Sequence, residues 1–430
     1  MAKIKFRRDT TANWATANSV LSQGEPGLDI TTNSLKVGDG TTAWANLEYI
    51  ANQQYPTPNI AYTGVFGGLP NFWKYNSSPS KRLSTATGEF IDTTTGLYSL
   101  DEHFDDQNYD LSGTTSLRFL NIGAIKGYLD ISDKSEVVMH TLDLGNIAVV
   151  DEWFQIAGFS NTLTSFYANN LIDVGSTFEI YGMQQVNGIT LSFPALDRIS
   201  DTLYINYNYG SVEFFANTAA PSFPALTFVG FGMQIHNNKY TSWSDFTSLT
   251  NLRYSFNFYE NTNNDGELFD GPGMPALTHL QNGTLYYYNN TGMQYIPAFT
   301  LLNIIEYGIY IYNNPDLTSF PSFPALTYVN TIEAYNNPSM TGLAGSNPGG
   351  WLPSILRIDG NVNFQGCALN ETSVNLILVK LAALDGTSGT TSFDTRTINL
   401  NQGTNAIPTG DGLTAKTTLE GRGCTVNVNS

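Results

Sequence analysis

The chain has 430 residues, 41% of them apolar and only 13% charged, with a net charge of −18 from 37 acidic and 19 basic side chains. Acidity on this scale excludes the cationic footprint of a nucleic-acid binder and excludes docking on an anionic membrane by charge. The charged share is about half that of an ordinary globular protein, so Asn, Thr, Ser, Tyr and Gly must cover the surface, as in β-rich, outward-facing proteins.

The two cysteines, Cys367 and Cys424, do not make a disulfide framework in so long a chain. No apolar run approaches the roughly 20 residues of a membrane span, so no membrane insertion is expected. Met1–Asp9 lacks the apolar segment of a secretion signal, which points to release by another route, such as lysis.

Residues 1–50 read as a separate α+β unit. Ile4 and Phe6 alternate with Lys3, Lys5 and Arg7 as a short strand. Thr10 or Thr11 caps a helix carrying Trp14, Ala15 and Leu21. Leu28-Asp29-Ile30 and Leu35-Lys36-Val37 then pair as a hairpin around Thr32-Asn33-Ser34, and Trp44 and Leu47 return to the core. So small a unit buries little surface, so it needs copies of itself or a docking partner.

Phe6-Arg7-Arg8-Asp9-Thr10, Asn13-Trp14, Gly24-Glu25-Pro26-Gly27 and the run from Leu35 to Trp44 resemble a module that opens tail fibres, spikes and other virion proteins of tailed bacteriophages. The resemblance implies attachment to other virion proteins of the tail or baseplate through residues 1–50, and packing as a homotrimer. It also implies a protein made in the host cytoplasm and carried on the particle surface.

Residues 51–115 follow as linker and irregular β structure. Pro56, Pro58, Pro70 and Pro79 punctuate the first part, around Phe66, Phe72 and Trp73. Gly88-Glu89-Phe90-Ile91 is strand-like.

From 116 to 366 the chain repeats. Early strands are read at Leu117–Ile122, Tyr128–Ile131 and Thr141–Leu144. Regular copies then centre on Ile180, Ile205, Ile235, Phe258, Tyr287, Ile311, Ala334 and Phe364, each with an apolar residue two positions earlier. Intervals of 23 to 30 residues mean a solenoid, whose coils bury their apolar faces against their neighbours. Three residues past each centre stands Met183, Asn208, Asn238, Asn261, Asn290, Asn314, Asn337 or Cys367. Stacked Asn suits a bend, because its side chain bonds backbone groups left unpaired by the turn. A second corner is Ser-Phe-Pro-Ala-Leu at 192–196, 222–226 and 322–326, with looser copies at Met274–Leu277 and Ile296–Phe299. The apolar pair, the Asn-Asn step and the Pro-Ala-Leu corner resemble irregular, helix-poor leucine-rich repeats of the receptor L-domain kind.

Residues 367–430 read as a cap. Asn370, Thr372 or Ser373 starts a helix with the stripe Val374, Ile377, Leu378, Leu381 and Leu384, stopped by Gly386. The strand Thr397–Leu400, a short helix near Leu413–Leu419 and the strand Cys424–Val428 complete it. Leu419-Glu420-Gly421-Arg422-Gly423 is similar to the end of phage-borne leucine-rich-repeat proteins. The predicted class is therefore mainly β: an N-terminal α+β attachment module, an irregular parallel β-solenoid and a helix-strand cap.

The residues after the strand centres face water. Tyr181, Tyr259, Tyr288, Tyr312 and Tyr335 form this column, with Tyr204, Tyr286 and Tyr310 on the same face. These eight tyrosines are the candidate ligand-binding residues, because an aromatic ring with a hydroxyl tip suits glycans and mixed polar surfaces. The alternative is that the rings stack on one another, about 4.8 Å apart, or are buried in a trimer contact.

No catalytic residue, metal ligand or cofactor site emerges, and the chain is not expected to be an enzyme. Asp101, Glu102, Asp105, Asp106 and Asp110 lack an ordered calcium-loop spacing, as do Asn261–Asn264 with Asp265 and Glu267. Outward Glu179 and Glu333 lie too far apart to serve as a glycosidase pair, and Asp130 with Asp133 or Glu136 carries no signature. His103, His140, His236 and His279 are scattered. The sequence thus favours a tail fibre or spike recognising a host surface glycan or protein. A head or tail decoration without a receptor role, or a polysaccharide depolymerase, stands as the alternative.

Overall fold

The structure is a computed structural model. It describes residues 7–47 apart from 24, 30, 32 and 33, then the strands at 81–84, 89–92 and 98–100. It further describes 116–430 apart from 120–121, 133–139, 159–162, 184–190, 209–219, 241, 264–266 and 345–350. The strand read at Ile4 and Phe6, the hairpin tip at Thr32-Asn33, Phe66, Phe72, Trp73, the acidic cluster of 101–110, Asp133, Glu136 and Asp265 lie outside the described residues. The chain forms two compact units, Met1–Phe72 and Trp73–Ser430.

The first unit is organised by two tryptophans. Trp14, on the helix Thr11–Ala17, stacks on Trp44 with ring centroids 3.9 Å apart. Leu21 and Leu47 close this small core. The Thr10 side chain accepts the Asn13 N–H, which caps the helix. The strand Pro26–Asp29 pairs parallel with Arg7–Asp9 and antiparallel with Ser34–Val37. A Cβ on Gly27 would sit 2.6 Å from the Trp44 ring, so this strand approaches the tryptophan only as glycine. Alternation puts Lys36 inside, against its polarity. Its ammonium donates to the Trp44 carbonyl at 2.8 Å and lies 4.9 Å from the Trp44 ring centroid.

The second unit is mainly β and contains a parallel solenoid of about 11 turns. The coils from Phe178 to Tyr288 each contribute a two-residue strand, a kink and a longer strand, and in the next two the strands run together as Ile304–Tyr312 and Tyr328–Glu333. Phe178, Leu203, Met233, Phe256, Leu285, Ile309, Ile332 and Val362 stand in one register line, which is the predicted pairing. The line begins earlier, at Leu129 and Phe154, and runs on through Ile398 and Val426. The strands of the predicted cap are therefore further rungs of the same ladder. The helices Glu371–Ala382 and Gly410–Gly421 belong to these last coils, and bury Val374, Ile377, Leu378 and Leu381 of the first and Ala415 and Leu419 of the second. In the first coils a separate ladder pairs Leu117, Leu142 and Phe166.

The Phe-Pro-Ala-Leu corner is a turn closed by an N–H to carbonyl bond, from Leu196 to Phe193, Leu226 to Phe223 and Leu326 to Phe323. Proline sits second in the turn, where its fixed φ belongs. Phe193 stacks on Phe223 at 5.2 Å, and Phe299 on Phe323 at 5.0 Å. Phe299 thus takes the first position of its corner, so the copy read at Ile296–Phe299 is three residues out of register. Phe246–Leu249 is a further corner, without proline, closed by the same bond.

The asparagine column is buried and continuous. Asn290 Nδ2 donates to the Phe258 carbonyl of the preceding coil at 3.0 Å and to Asn314 Oδ1 of the next at 3.0 Å. Asn290 Oδ1 accepts from the Asn261 backbone N–H and Nδ2. Asn208, Asn238, Asn261, Asn314 and Asn337 repeat the donation to the preceding coil. Cys367 substitutes in place, with Sγ bonded to the Ala334 carbonyl at 3.1 Å, and burial pushes its thiol up to about 11. Cys367 and Cys424 are both free and buried. Asn405 resumes the pattern, donating to the Phe364 carbonyl.

Removing one rung orphans buried partners on both sides. Asn290→Ala is expected to lower unfolding stability by about 3 kcal/mol, since each buried polar group left unmade costs about 1–3 kcal/mol. Asn289→Gly, at the exposed neighbouring position, is expected to shift it by under about 1 kcal/mol. Denaturant unfolding of the two variants checks the contrast.

Candidate functional site: the outward phenol column and its groove

The long strands alternate, so one residue on each side of the buried centre faces out. The column after the centres forms a face-to-face stack. His236 lies on Tyr259 at 4.5 Å, Tyr259 on Tyr288 at 4.7 Å, Tyr288 on Tyr312 at 5.0 Å and Tyr312 on Tyr335 at 4.9 Å. Interplanar angles of 3–12° show that the coil repeat sets the ring spacing. Tyr286 and Tyr310 make a second, shorter stack at 4.8 Å in the column before the centres. Each such pair stabilises by about 0.5–1.5 kcal/mol beyond its buried area.

Two candidates stand apart from the stack. Tyr181 is 43% exposed and meets Tyr207 edge-on at 5.6 Å. Tyr204 lies in register between Glu179 and Gln234, with no ring beside it in its column. The six stacked tyrosines are half-buried: their inner faces cover one another and their edges meet solvent.

Burial raises the phenol pKa of Tyr259, Tyr288, Tyr310, Tyr312 and Tyr335, and neighbouring phenols or carboxylates raise it further. The column is therefore a row of neutral hydroxyl groups, each a donor and an acceptor.

The residue after each stacked ring turns the chain. Asn289, Asn313 and Asn336 adopt φ of 54–56°, and Gly366 follows at 71°. Asn tolerates this left-handed conformation, and the following buried Asn pins it. These four, with Thr291, Pro315 and Pro338, line an open groove of about 580 Å³ along the coil axis. Asn313 Nδ2 donates to Asn289 Oδ1 at 3.1 Å, so carboxamides also ladder here. From the sequence alone the Asn-Asn step reads as a bend, a structural role. The available signal was that its first member must project outward if the second is buried.

Among outward carboxylates, Glu179 accepts from Asn206 Nδ2 at 3.3 Å and Glu333 from Asn363 Nδ2 at 2.8 Å. The Tyr204–Tyr310 stretch of the ladder separates them. Among the described residues no three His, Cys, Asp or Glu side chains gather as metal ligands, and no helix is long and apolar enough to cross a membrane. A second aromatic ridge lies at the kink between the two strands of each coil, where Phe231, Tyr254 and Tyr307 are 49%, 39% and 53% exposed.

Residues 4–42 match the major tropism determinant N-terminal domain. That similarity, ahead of a β-solenoid, fits a bacteriophage tail-fibre-type, virion-associated protein with a part in host tropism. No curated protein and no solved structure matches the chain.

His236, at the end of the stack, is buried, and burial lowers its imidazole below 6.5 while Glu260 pulls it back up. Asn237 Nδ2 lies 3.1 Å from Nδ1. The folded state therefore binds fewer protons here than the unfolded chain. The stability that the neutral ring contributes is present above 6.5 and is lost as pH falls below it. The thermal midpoint is expected to fall with acidification over this range. His236→Asn, the residue of the same column one coil earlier, is expected to flatten the fall.

Proposed function

We propose that this chain is a non-enzymatic receptor-binding protein of a tailed phage, of tail-fibre or spike type. Its solenoid would hold the recognition face, and residues 1–50 would attach it to the virion as a homotrimer. The observation that carries the reading is the groove lined by Asn289, Asn313 and Asn336, the residues that directly follow the stacked Tyr288, Tyr312 and Tyr335 in the chain. Carboxamides and phenols each donate and accept, which is what a surface dense in sugar hydroxyls requires. The similarity of residues 4–42 to a tropism-determinant domain supports the setting. The buried asparagine ladder supports a solenoid of leucine-rich-repeat type. Weak sites repeated in a trimer and over several fibres gain strength through effective concentration.

The test uses the purified full-length chain and the bacterium that the phage carrying it infects. The chain is expected to bind these cells and to block phage adsorption. Periodate oxidation of the cell surface is expected to abolish binding, and protease treatment to leave it intact. No reducing ends are expected from the host polysaccharide. Absence of cell binding, with the chain located on the capsid, contradicts a receptor role.

A further inference from the structure

The groove beside the phenol stack is built by repeating one unit, and its dimensions restrict what fits. The three asparagines share one left-handed turn, with φ of 55°, 56° and 54°, and all three line the groove. The neighbouring rings repeat every 4.7–5.0 Å. This is close to the advance per sugar residue in an extended pyranose chain. Each carboxamide carries two donors and two acceptor lone pairs, so the Asn313–Asn289 bond leaves capacity toward the groove.

Charge narrows the ligand further. No acidic or basic side chain lines the groove. Glu260 occupies the same left-handed turn position one coil before Asn289 and is exposed, which repels an anionic polymer from that end. The stacked rings cover one another's faces, so a sugar cannot lie flat on them. Contact in the groove falls to carboxamides, the Thr291 side chain and the apolar rings of Pro315 and Pro338. An extended peptide is disfavoured, because the strands beside the groove already pair with each other and offer no open sheet edge.

We propose that this groove binds a linear, uncharged polysaccharide laid parallel to the solenoid axis, one sugar residue per coil. The proposal rests on the glycan reading above and adds the polymer's shape, charge and direction. Turns held in register by the buried ladder present the carboxamides at a fixed repeat, which favours a stiff, regular chain over a branched or globular glycan.

The experiment titrates the full-length chain with oligosaccharides cut from the host surface polysaccharide, separated by size and charge. Affinity for the neutral fraction is expected to rise with each added sugar until the oligomer spans Asn289 to Gly366, and then to level off. Asn313→Gly keeps the turn conformation and removes one carboxamide. It is expected to weaken binding of the longer oligomers about fivefold to tenfold, with the thermal midpoint retained. Tyr312→Phe keeps the ring stack and tests the hydroxyl alone. Binding that ignores length, prefers the anionic fraction or is unmoved by both variants overturns the groove proposal and leaves glycan recognition standing. Failure of every fraction to bind overturns both.

Discussion

The buried asparagine ladder is the constraint on which the rest of the solenoid depends. A turn at the end of each strand exposes backbone groups to an apolar interior, where an unmade hydrogen bond is costly. Each asparagine answers this with one side chain that reaches three coils at once. Asn290 bonds to Phe258 and Asn261 behind it and to Asn314 ahead. Such a residue fixes the vertical alignment of the coils as well as their spacing. A coil shifted by one residue would lose these bonds and turn Phe, Leu and Ile outward.

The outward face inherits that alignment. Because Asn290, Asn314 and Asn337 are pinned, Asn289, Asn313 and Asn336 before them share one left-handed turn, and the tyrosines before those stack within 5.0 Å of each other. The same regularity covers the ring faces that a carbohydrate would otherwise use. On the function proposed above, recognition falls to hydroxyl and carboxamide edges and not to aromatic faces. A face of this kind discriminates by spacing and hydrogen bonding more than by apolar contact. Its phenols and carboxamides are uncharged at neutral pH, and burial raises the phenol pKa of Tyr259, Tyr312 and Tyr335 further above that range.

Much of the architecture was legible in the sequence because two local rules coincide there. Period-two alternation marks the inward pair, and the asparagine three residues past each centre marks the bend, so the register from Phe178 to Val362 followed directly. Signals failed where side-chain chemistry departed from the repeat. Phe246–Leu249 lacks the proline that marked other corners, and the proline at 297 drew the reading three residues away from Phe299. Helices replace the irregular return in the last coils, and the ladder continues through the strands Thr397–Leu400 and Thr425–Val428 of the helix-strand cap. Nothing in the neighbourhood of Lys36 announces the Trp44 carbonyl that receives its ammonium. At the candidate site the tyrosines were evident by position. The closure of their faces and the groove at Asn289–Gly366 depend on distances between coils that no single stretch of sequence contains.

Hydroxyl-radical footprinting of the full-length chain, with and without host surface polysaccharide, tests the location of the recognition face most directly. Protection concentrated on Tyr288, Tyr312, Tyr335, Pro315 and Pro338 is the predicted result. Protection confined to Phe231, Tyr254 and Tyr307 on the kink ridge, with the phenol column oxidised as in the free chain, would contradict it.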